Sequence, residues 1–494
     1  MHDVTPMNTP SFFHFFAAVA LTLLALSGCE TDAVDSAAPG DSVADDATAQ
    51  DATADAEDAS TDADIPPFTP DRCGAAPFAW LPAAQVGQPV QFDEMALTNL
   101  SAATIAQLLK NTGYDLGEIR NGARTFKLRY TTQDKGQLTE ATALVGVPVG
   151  LEAKEPVPTI LWLHGTTGFM DDCAPSKNEL EGAGLVALLA SLGYVAVAPD
   201  YLGLRGFGPP SPAGSIHSYL VGEATALASL DAVRAAGVAL ANDATLTHPD
   251  LQRTIVWGGS QGGHAAFFVD RYQPHYAPEI DVLAVAAAVP ATDLRALAVW
   301  GANHPGATAI TLVAALTAWQ QWYGLGDLKE VLANAEPLKL AENVPIWLST
   351  TCKPDVDVST LKTLSDLYSP DFLTKVAAGQ FDALPPWGCM ISENSVPWTS
   401  VPRLKDRPVL VTYSEKDELV ITETERKSIP ELCKQGYRIE YLECAGLGHT
   451  DGALASLPYM RKWIDDRVAG KPLVAERNCV IRPAVDCNDP SVMP

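Results

Sequence analysis

Positive charge is scarce in this chain. Its 494 residues hold 33 Lys and Arg against 60 Asp and Glu, for a formal net charge of −27. That balance excludes a nucleic-acid partner, because a phosphate backbone is bound through Lys and Arg. The deficit is also uneven. Between Glu30 and Pro66 there are ten Asp, two Glu and no Lys or Arg, so this segment alone carries 12 of the 27 excess negative charges. The remainder is only mildly acidic, and its charge says little about a substrate. CxxC pairs and His/Cys clusters are also missing, so no metal site is expected and nothing calls for a cofactor. Histidine is nearly absent from the last third: of nine, only His449 follows His304.

The N-terminus lacks Lys and Arg before its apolar core, which runs "SFFHFFAAVALTLLALSGCE". The run suits a signal-peptide core better than a membrane-spanning helix. Its ending, Leu26-Ser27-Gly28-Cys29, resembles a bacterial lipoprotein lipobox, and Cys29 would then be the lipidated first residue of the mature protein. A plain secretory signal cleaved nearby is the alternative. Both readings place the protein outside the cytoplasm; the first gives it a lipid anchor in a membrane. The Asp/Ala/Thr-rich stretch from Thr31 to Asp64 cannot bury a core, and its charges repel, so it reads as a disordered spacer.

Nine cysteines less Cys29 leave eight: Cys73, Cys173, Cys352, Cys389, Cys433, Cys444, Cys479 and Cys487. An even number in an exported protein suggests disulfides. Short separations make Cys433–Cys444, Cys352–Cys389 and Cys479–Cys487 the simplest pairings.

From Cys73 onward, two runs of β-formers come first, "TFKLRYTT" and "TALVGVPV". Short apolar runs then alternate with helical stretches: "TILWLHG", "YVAVAPD", "TIVWGGS", "VLAVAAAVP", "PVLVTYSEKD" and "RIEYLECAG". Continuous apolar runs fit buried parallel strands. "NELEGAGLVALLASLG" and "EATALASLDAVRAAGVAL" between them read as helices. Strand–helix alternation implies an α/β fold with a mainly parallel sheet. Between Pro290 and about Val401 the alternation stops. This region reads as helical, is rich in Pro, and holds six of the ten Trp: Trp300, Trp319, Trp322, Trp347, Trp387 and Trp398. An insertion there would sit over the C-terminal edge of the sheet, where open α/β folds bind ligands. Most of these aromatics are expected in the insertion's own core, and some along an apolar substrate tunnel. The expected organisation is a signal segment 1–29, a linker 30–70, a core 71–290, a helical cap 291–400 and the rest of the core with a Cys-containing tail, 401–494.

Gly258-Gly259-Ser260-Gln261-Gly262 matches G-x-S-x-G. With this chain's Gly and Ser content one match arises by accident in roughly one chain in six, so context has to carry the reading. The motif follows the apolar "TIVW" and precedes the helix-compatible "GGHAAFFVDRY". Strand, turn and helix in that order are what a nucleophile elbow requires. A serine hydroxyl needs a base, and "ECAGLGHTDGA" supplies His449 after the last strand. The orienting acid is expected in the loop after the preceding strand, where "SEKDELV" offers Asp417, with Glu415 and Glu418 as lesser substitutes. One oxyanion donor would be the Gln261 N–H. The second would come from "LWLHGTTG", as the N–H of Thr166 or Thr167. His164 reads as structural, and Asp200 as an acceptor for loop backbone.

Together, "HGTTGFMDDCAPS", "GYVAVAPDYLGL", "GGSQGGHA", a helical insertion, "SEKDELV" and "GLGHTDGA" resemble the secretory lipase family of α/β-hydrolases, over roughly Cys73 to Val468. The resemblance implies an α/β-hydrolase fold, a Ser260–Asp417–His449 triad, a helical lid, a structural Cys173 and hydrolysis of carboxylic esters or lipids. The Asp-rich spacer and the lipobox lie outside it. Two other readings compete. One is an exported peptidase or amidase using the same triad, although the cap's Asp and Glu form no obvious cluster to hold a peptide's amino end. The other is a non-catalytic binding protein anchored in the envelope, for which an intact Ser, Asp and His would be superfluous. Acyl-chain length, the alcohol and the oligomeric state are not legible in the sequence.

Overall fold

The computed structural model describes residues 68–151, 155–336, 338–352, 363–489, 491 and 493. The expected signal segment with Cys29, and the linker up to residue 67, lie outside the described residues. A nine-stranded sheet is formed by β1 (Pro89–Glu94), β2 (Gly122–Asp134), β3 (Gln137–Val149), β4 (Val157–Leu163), β5 (Val195–Pro199), β6 (Pro249–Gly259), β7 (Val282–Ala288), β8 (Pro408–Ser414) and β9 (Arg438–Cys444). Its spatial order is β1-β2-β3-β5-β4-β6-β7-β8-β9. The pairs β1–β2, β2–β3 and β3–β5 are antiparallel. Every pair from β5 to β9 is parallel.

The apolar runs are continuous because the central strands are covered on both faces, as parallel sheets with helical crossovers must be. On β6, Val256 belongs to one core while Ile255 and Trp257 belong to the other. The first core packs α3 (Gly222–Ala241) and α4 (Gln261–Tyr276) on the sheet; the second packs α2 (Glu179–Ser191) and α13 (Leu457–Val468). Helix α3 is long and apolar enough to cross a membrane, but it is mostly buried in the core. Two elements go beyond the sequence reading. β1 is a six-residue edge strand, PVQFDE, half of it polar and too short to show a pattern, and it pairs with β2. Helix α1 (Ala102–Thr112) is capped by Ser101, whose hydroxyl accepts from the Thr104 N–H, and ends at Gly113 with φ +79°.

Between β7 and β8 the described chain runs through α5 (Leu294–Gly301), α6 (Ala307–Tyr323), α7 (Leu328–Val331), α8 (Leu340–Leu348), α9 (Pro370–Ala377) and α10 (Trp387–Glu393). Trp319, Trp387, Tyr368 and Phe372 form the buried centre of this segment. After β8 come α11 (Thr422–Lys434), and after β9 α12 (His449–Ala455) and α13.

The disulfides correct the pairing expected from short separations. They are Cys73–Cys389, Cys173–Cys352, Cys433–Cys479 and Cys444–Cys487; Cys433–Cys444, Cys352–Cys389 and Cys479–Cys487 do not form. Strand β9 explains two of the misses. Cys433 lies just before it and Cys444 is its last residue, so the strand holds them roughly 20 Å apart, too far for a bridge. The C-terminal tail runs along β9 from Asn478 beside Glu440 to Val485 beside Cys444, which delivers Cys479 to one end and Cys487 to the other. In the third case Cys352 and Cys389 each reach back to the first half of the chain. Disulfides of this number belong to oxidising compartments, and the protein is exported.

Candidate active site

Ser260 sits between the end of β6 and the start of α4, with φ +55° and ψ −118°. Non-glycine residues avoid this region unless their surroundings impose it. Here the Ser260 N–H donates to the Ala288 carbonyl at 2.8 Å, and its carbonyl accepts from the His264 N–H at 3.0 Å. The glycines explain the tight approach: a Cβ on Gly258 would lie 2.1 Å from the Gly262 carbonyl oxygen, and one on Gly262 would lie 1.9 Å from that of Leu163. Only Gly at both positions lets β6 turn into α4 against β4.

His449 opens α12 and lies in the same place. Its Nε2 is 2.9 Å from Ser260 Oγ, and its Nδ1 is 2.7 Å from Asp417 Oδ2. The carboxylate partner assigns the tautomer: Nδ1–H donates to Asp417, which leaves the Nε2 lone pair facing the serine hydroxyl. Asp417 Oδ1 accepts the backbone N–H groups of Leu419 and Val420, at 2.9 and 2.7 Å, so the carboxylate cannot rotate away. The two lesser candidates hold the histidine loop instead. Glu415 Oε2 accepts from the Gly446 N–H at 2.7 Å, and Glu418 Oε2 from the His449 N–H at 3.1 Å. Asp417 and His449 are buried, while Ser260 is partly open. This arrangement can move a proton from serine to imidazole while the carboxylate balances the charge.

Gln261 is the first residue of α4, so its N–H is one of those at a helix start with no intrahelical acceptor. Its side chain is held by a residue that the sequence reading missed. His217 Nδ1–H donates to the Leu202 carbonyl at 2.7 Å, and His217 Nε2 accepts from Gln261 Nε2 at 2.6 Å. Burial holds the imidazole down at about 3, so it stays neutral and keeps that acceptor. No motif surrounds His217; it lies in the irregular segment between β5 and α3, where spacing carries no signal. Tyr201 stacks on both His217 and His164, joining the Gln261 support to the "HGTTG" loop.

In that loop, a Cβ on Gly165 would touch Ser260 Cβ at 3.6 Å. Thr166 Oγ1 and the Tyr219 hydroxyl lie 2.9 Å apart. Thr167 Oγ1 is buried without a hydrogen-bond partner among the described residues. His164 lies beneath, with its ring nitrogens at the carbonyls of Gly165 and Asp200; burial pulls it down to about 4, so it is neutral. Asp200 accepts the backbone N–H of Ser176 at 2.9 Å and the Thr142 hydroxyl at 2.6 Å. Burial pushes its carboxyl up to about 7. It anchors the 174–177 turn, whose Pro175 borders the site.

Two cavities meet at Ser260. The larger, about 940 Å³, is walled by Leu294, Leu297, Ala298, Ile310, Ala315 and Trp319 from α5 and α6, and includes Gln261. Of the six Trp, some of which were expected along a tunnel and most in the segment's own core, Trp319 lines the cavity, Trp387 is buried elsewhere and Trp398 is 49% exposed. The smaller, about 250 Å³, is bordered by His449 and Thr450. Thr166 borders both, whereas Thr167 borders only the larger. Among the described residues, the one His/Cys/Asp/Glu group close enough to hold a metal is Asp71, Cys73 and Cys389. Its two sulfurs are tied up in a disulfide.

A profile of the family described as "Secretory lipase" matches residues 176–476, more than half of the chain. The chain belongs to the secretory lipase family. The chain is 26% identical to Lipase 5 of Candida albicans over 331 residues, which cover 62% of this chain and 64% of that one. It thus spans less than two thirds of the length of that curated relative. Solved structures share the fold. The rice cell wall degrading esterase LipA of Xanthomonas oryzae superposes with a TM-score of 0.63 at 20% identity, covering 79% of this chain and 99% of that one. Candida antarctica lipase A in its closed state gives 0.59 at 17% identity, covering 83% and 90%. The chain has the α/β-hydrolase fold, with its helical segment between β7 and β8.

Proposed function

We propose that this protein is a serine-dependent hydrolase of carboxylic esters working through an acyl-enzyme. The observation that carries the reading is the continuous chain from Ser260 Oγ through the His449 imidazole to Asp417, at 2.9 and 2.7 Å. Ser260 attacks the ester carbonyl while His449 takes its proton; His449 then protonates the leaving alcohol, and water repeats the cycle on the acyl group. The Gln261 N–H stabilises the oxyanion together with the Thr166 N–H, chosen over Thr167 because Thr166 borders both cavities beside Ser260. Family membership supports ester chemistry, and the apolar wall of the larger cavity suits an acyl chain better than a peptide. Methyl esters of graded acyl length, followed by release of acid in a pH-stat, test the reading alongside Ser260→Ala. We expect turnover by the native protein and a loss of at least 10³-fold in the variant; equal rates would refute it.

We also propose that Cys29 is lipidated and holds the protein to a membrane, on the strength of Leu26-Ser27-Gly28-Cys29. Labelling with a radioactive fatty acid should mark the native chain and not Cys29→Ser; equal labelling would refute the anchor.

A further inference from the structure

We infer that Thr308 is a positioning residue, which ties the helix walling the larger cavity to the peptide group that holds Asp417 against His449. The inference rests on the ester-hydrolase reading above. Thr308 is buried in the first turn of α6. Its hydroxyl donates to the Leu419 carbonyl at 2.9 Å and lies 3.4 Å from that of Glu418. The Leu419 carbonyl and the Val420 N–H belong to one peptide group, which is planar and turns as a unit. Its N–H end donates to Asp417 Oδ1 at 2.7 Å. One rigid group therefore has its oxygen on α6 and its N–H on the acid.

The neighbours of that group hold the same pair. The Leu419 N–H also donates to Asp417 Oδ1, at 2.9 Å, and Glu418 Oε2 accepts from the His449 N–H at 3.1 Å. Other side chains of α6 bond elsewhere: Trp319 to the Leu220 carbonyl, Gln321 to that of Gly214 and Trp322 to Asp134. Among the described residues, Thr308 alone joins α6 by a hydrogen bond to a loop carrying Ser260, Asp417 or His449. With the hydroxyl in place, the peptide group cannot rotate its N–H off Oδ1 without breaking a buried bond at its other end. A carboxylate set loose would cost His449 both its orientation and the charge that balances its proton. Because α6 also supplies Ile310, Ala315 and Trp319 to the cavity wall, the wall and the acid are placed together.

Thr308→Val removes the donor and keeps the branched shape. Steady-state kinetics on methyl acetate and methyl octanoate, per mole of folded protein, should show kcat lower by about fivefold to tenfold on both esters, the worth of one hydrogen bond, with KM nearly unmoved. Thr308→Ser keeps the donor and should restore most of the native kcat. Thr308→Ala removes the same donor and serves if the valine variant does not fold. Thr317→Val makes the same chemical change on the same helix, but the Thr317 hydroxyl donates to the Val313 carbonyl within α6, so its kcat should match the native value. In an Asp417→Asn background, Thr308→Val should cost less than about twofold more, because it acts through that carboxylate. An unchanged kcat in the valine and alanine variants, a loss confined to the octanoate, a serine variant no better than alanine, or a full further loss in the Asp417→Asn background would overturn the inference and leave the ester-hydrolase reading standing. Failure of the native protein to cleave either ester would instead remove the reading beneath it.

Discussion

Glu425 should make this protein lose stability as the pH rises from about 5 to 8. Its carboxyl is fully buried on α11, against the Thr292–Asp293 corner where the chain leaves β7 for the helical segment. Oε2 accepts from the Thr292 N–H and hydroxyl and from the Tyr413 hydroxyl; Oε1 meets only the Asp293 N–H, at 3.4 Å. Burial outweighs these bonds, the Asp293 carboxylate adds to it, and the group is pushed up to about 8 from an ordinary 4.5. The folded protein therefore holds a proton that the unfolded chain releases above pH 4.5. The contribution is full below 4.5, is lost as pH rises through 8, and changes by about 1.4 kcal/mol per pH unit between. Across the whole window that is roughly 5 kcal/mol, an upper limit set by the size of the shift. Glu425→Gln cannot ionise. With its amide oxygen in the Oε2 position it keeps the Thr292 and Tyr413 bonds and gives up only the long Asp293 contact. Urea unfolding at half-unit steps from pH 4.5 to 9 should give near-equal stabilities at the acid end and a variant several kcal/mol more stable at pH 8. Asp200 and Asp231, raised to about 7 and about 6 by burial, add slopes of the same sign, but they cancel in the difference between the two proteins. Parallel curves for native protein and variant would refute the assignment.

Three other perturbations have definite outcomes. Asp417→Asn should keep one backbone acceptor but present an amide N–H to His449 Nδ1, favouring the tautomer that cannot take the serine proton; kcat should fall about 10⁴-fold with little change in melting temperature, and a fall under tenfold would mean that Glu418 substitutes. Gly262→Ala forces a Cβ to within 1.9 Å of the Leu163 carbonyl oxygen, so the elbow must shift; denaturant unfolding should show a loss of at least about 3 kcal/mol, and a variant of native stability would contradict the close approach. Removing Cys444–Cys487 by paired Ser substitutions opens a 43-residue separation, and calorimetry should show a loss of about 2–4 kcal/mol, with no change expected if the tail is held only by its contacts with β9.

The elements that carry the chemistry were legible because each rests on local spacing. The strands β4 to β8 each contain an apolar run in the sequence, since strands buried on both faces admit little else, while β2 and β3 are marked by their β-formers. Ser260, Asp417 and His449 stand 157 and 32 residues apart in the chain, yet each sits just past the end of a recognisable strand, and parallel strands deliver such loops to one edge. The supports of the site were legible only in part. Asp200, at the end of a recognisable strand, was read as an acceptor for loop backbone and does accept the Ser176 N–H, whereas His217 reaches Gln261 across 44 residues from a segment with no period. Polar partners of this kind are chosen by three-dimensional proximity, which pattern alone does not encode. Strand β1 was missed because it is short and mixes three apolar with three polar residues, as an edge strand held by backbone pairing can.

The disulfides fail prediction in an instructive way. Short separation looks economical, but it says nothing about geometry, and a strand lying between two cysteines keeps them apart. Long separations are also worth more to a folded protein, because closing a longer loop removes more freedom from the unfolded chain. Two of the four bridges join the helical segment to the first half of the chain. Cys389 of α10 is tied to Cys73, 316 residues away, and Cys352 to Cys173, 179 residues away. The segment is therefore held at its chain connections to β7 and β8 and at two further covalent points. The second bridge borders the large cavity through both of its cysteines, and Gly168 packs against it, since a Cβ there would lie 2.5 Å from Cys173 Sγ. This wall of the large cavity is thus fastened to the loop that begins with His164 and Gly165. Reduction of Cys173–Cys352 should accordingly change the acyl-length profile before it changes the rate on methyl acetate, whose acyl group barely enters that cavity. Equal losses on short and long acyl chains would show that the bridge serves only global stability.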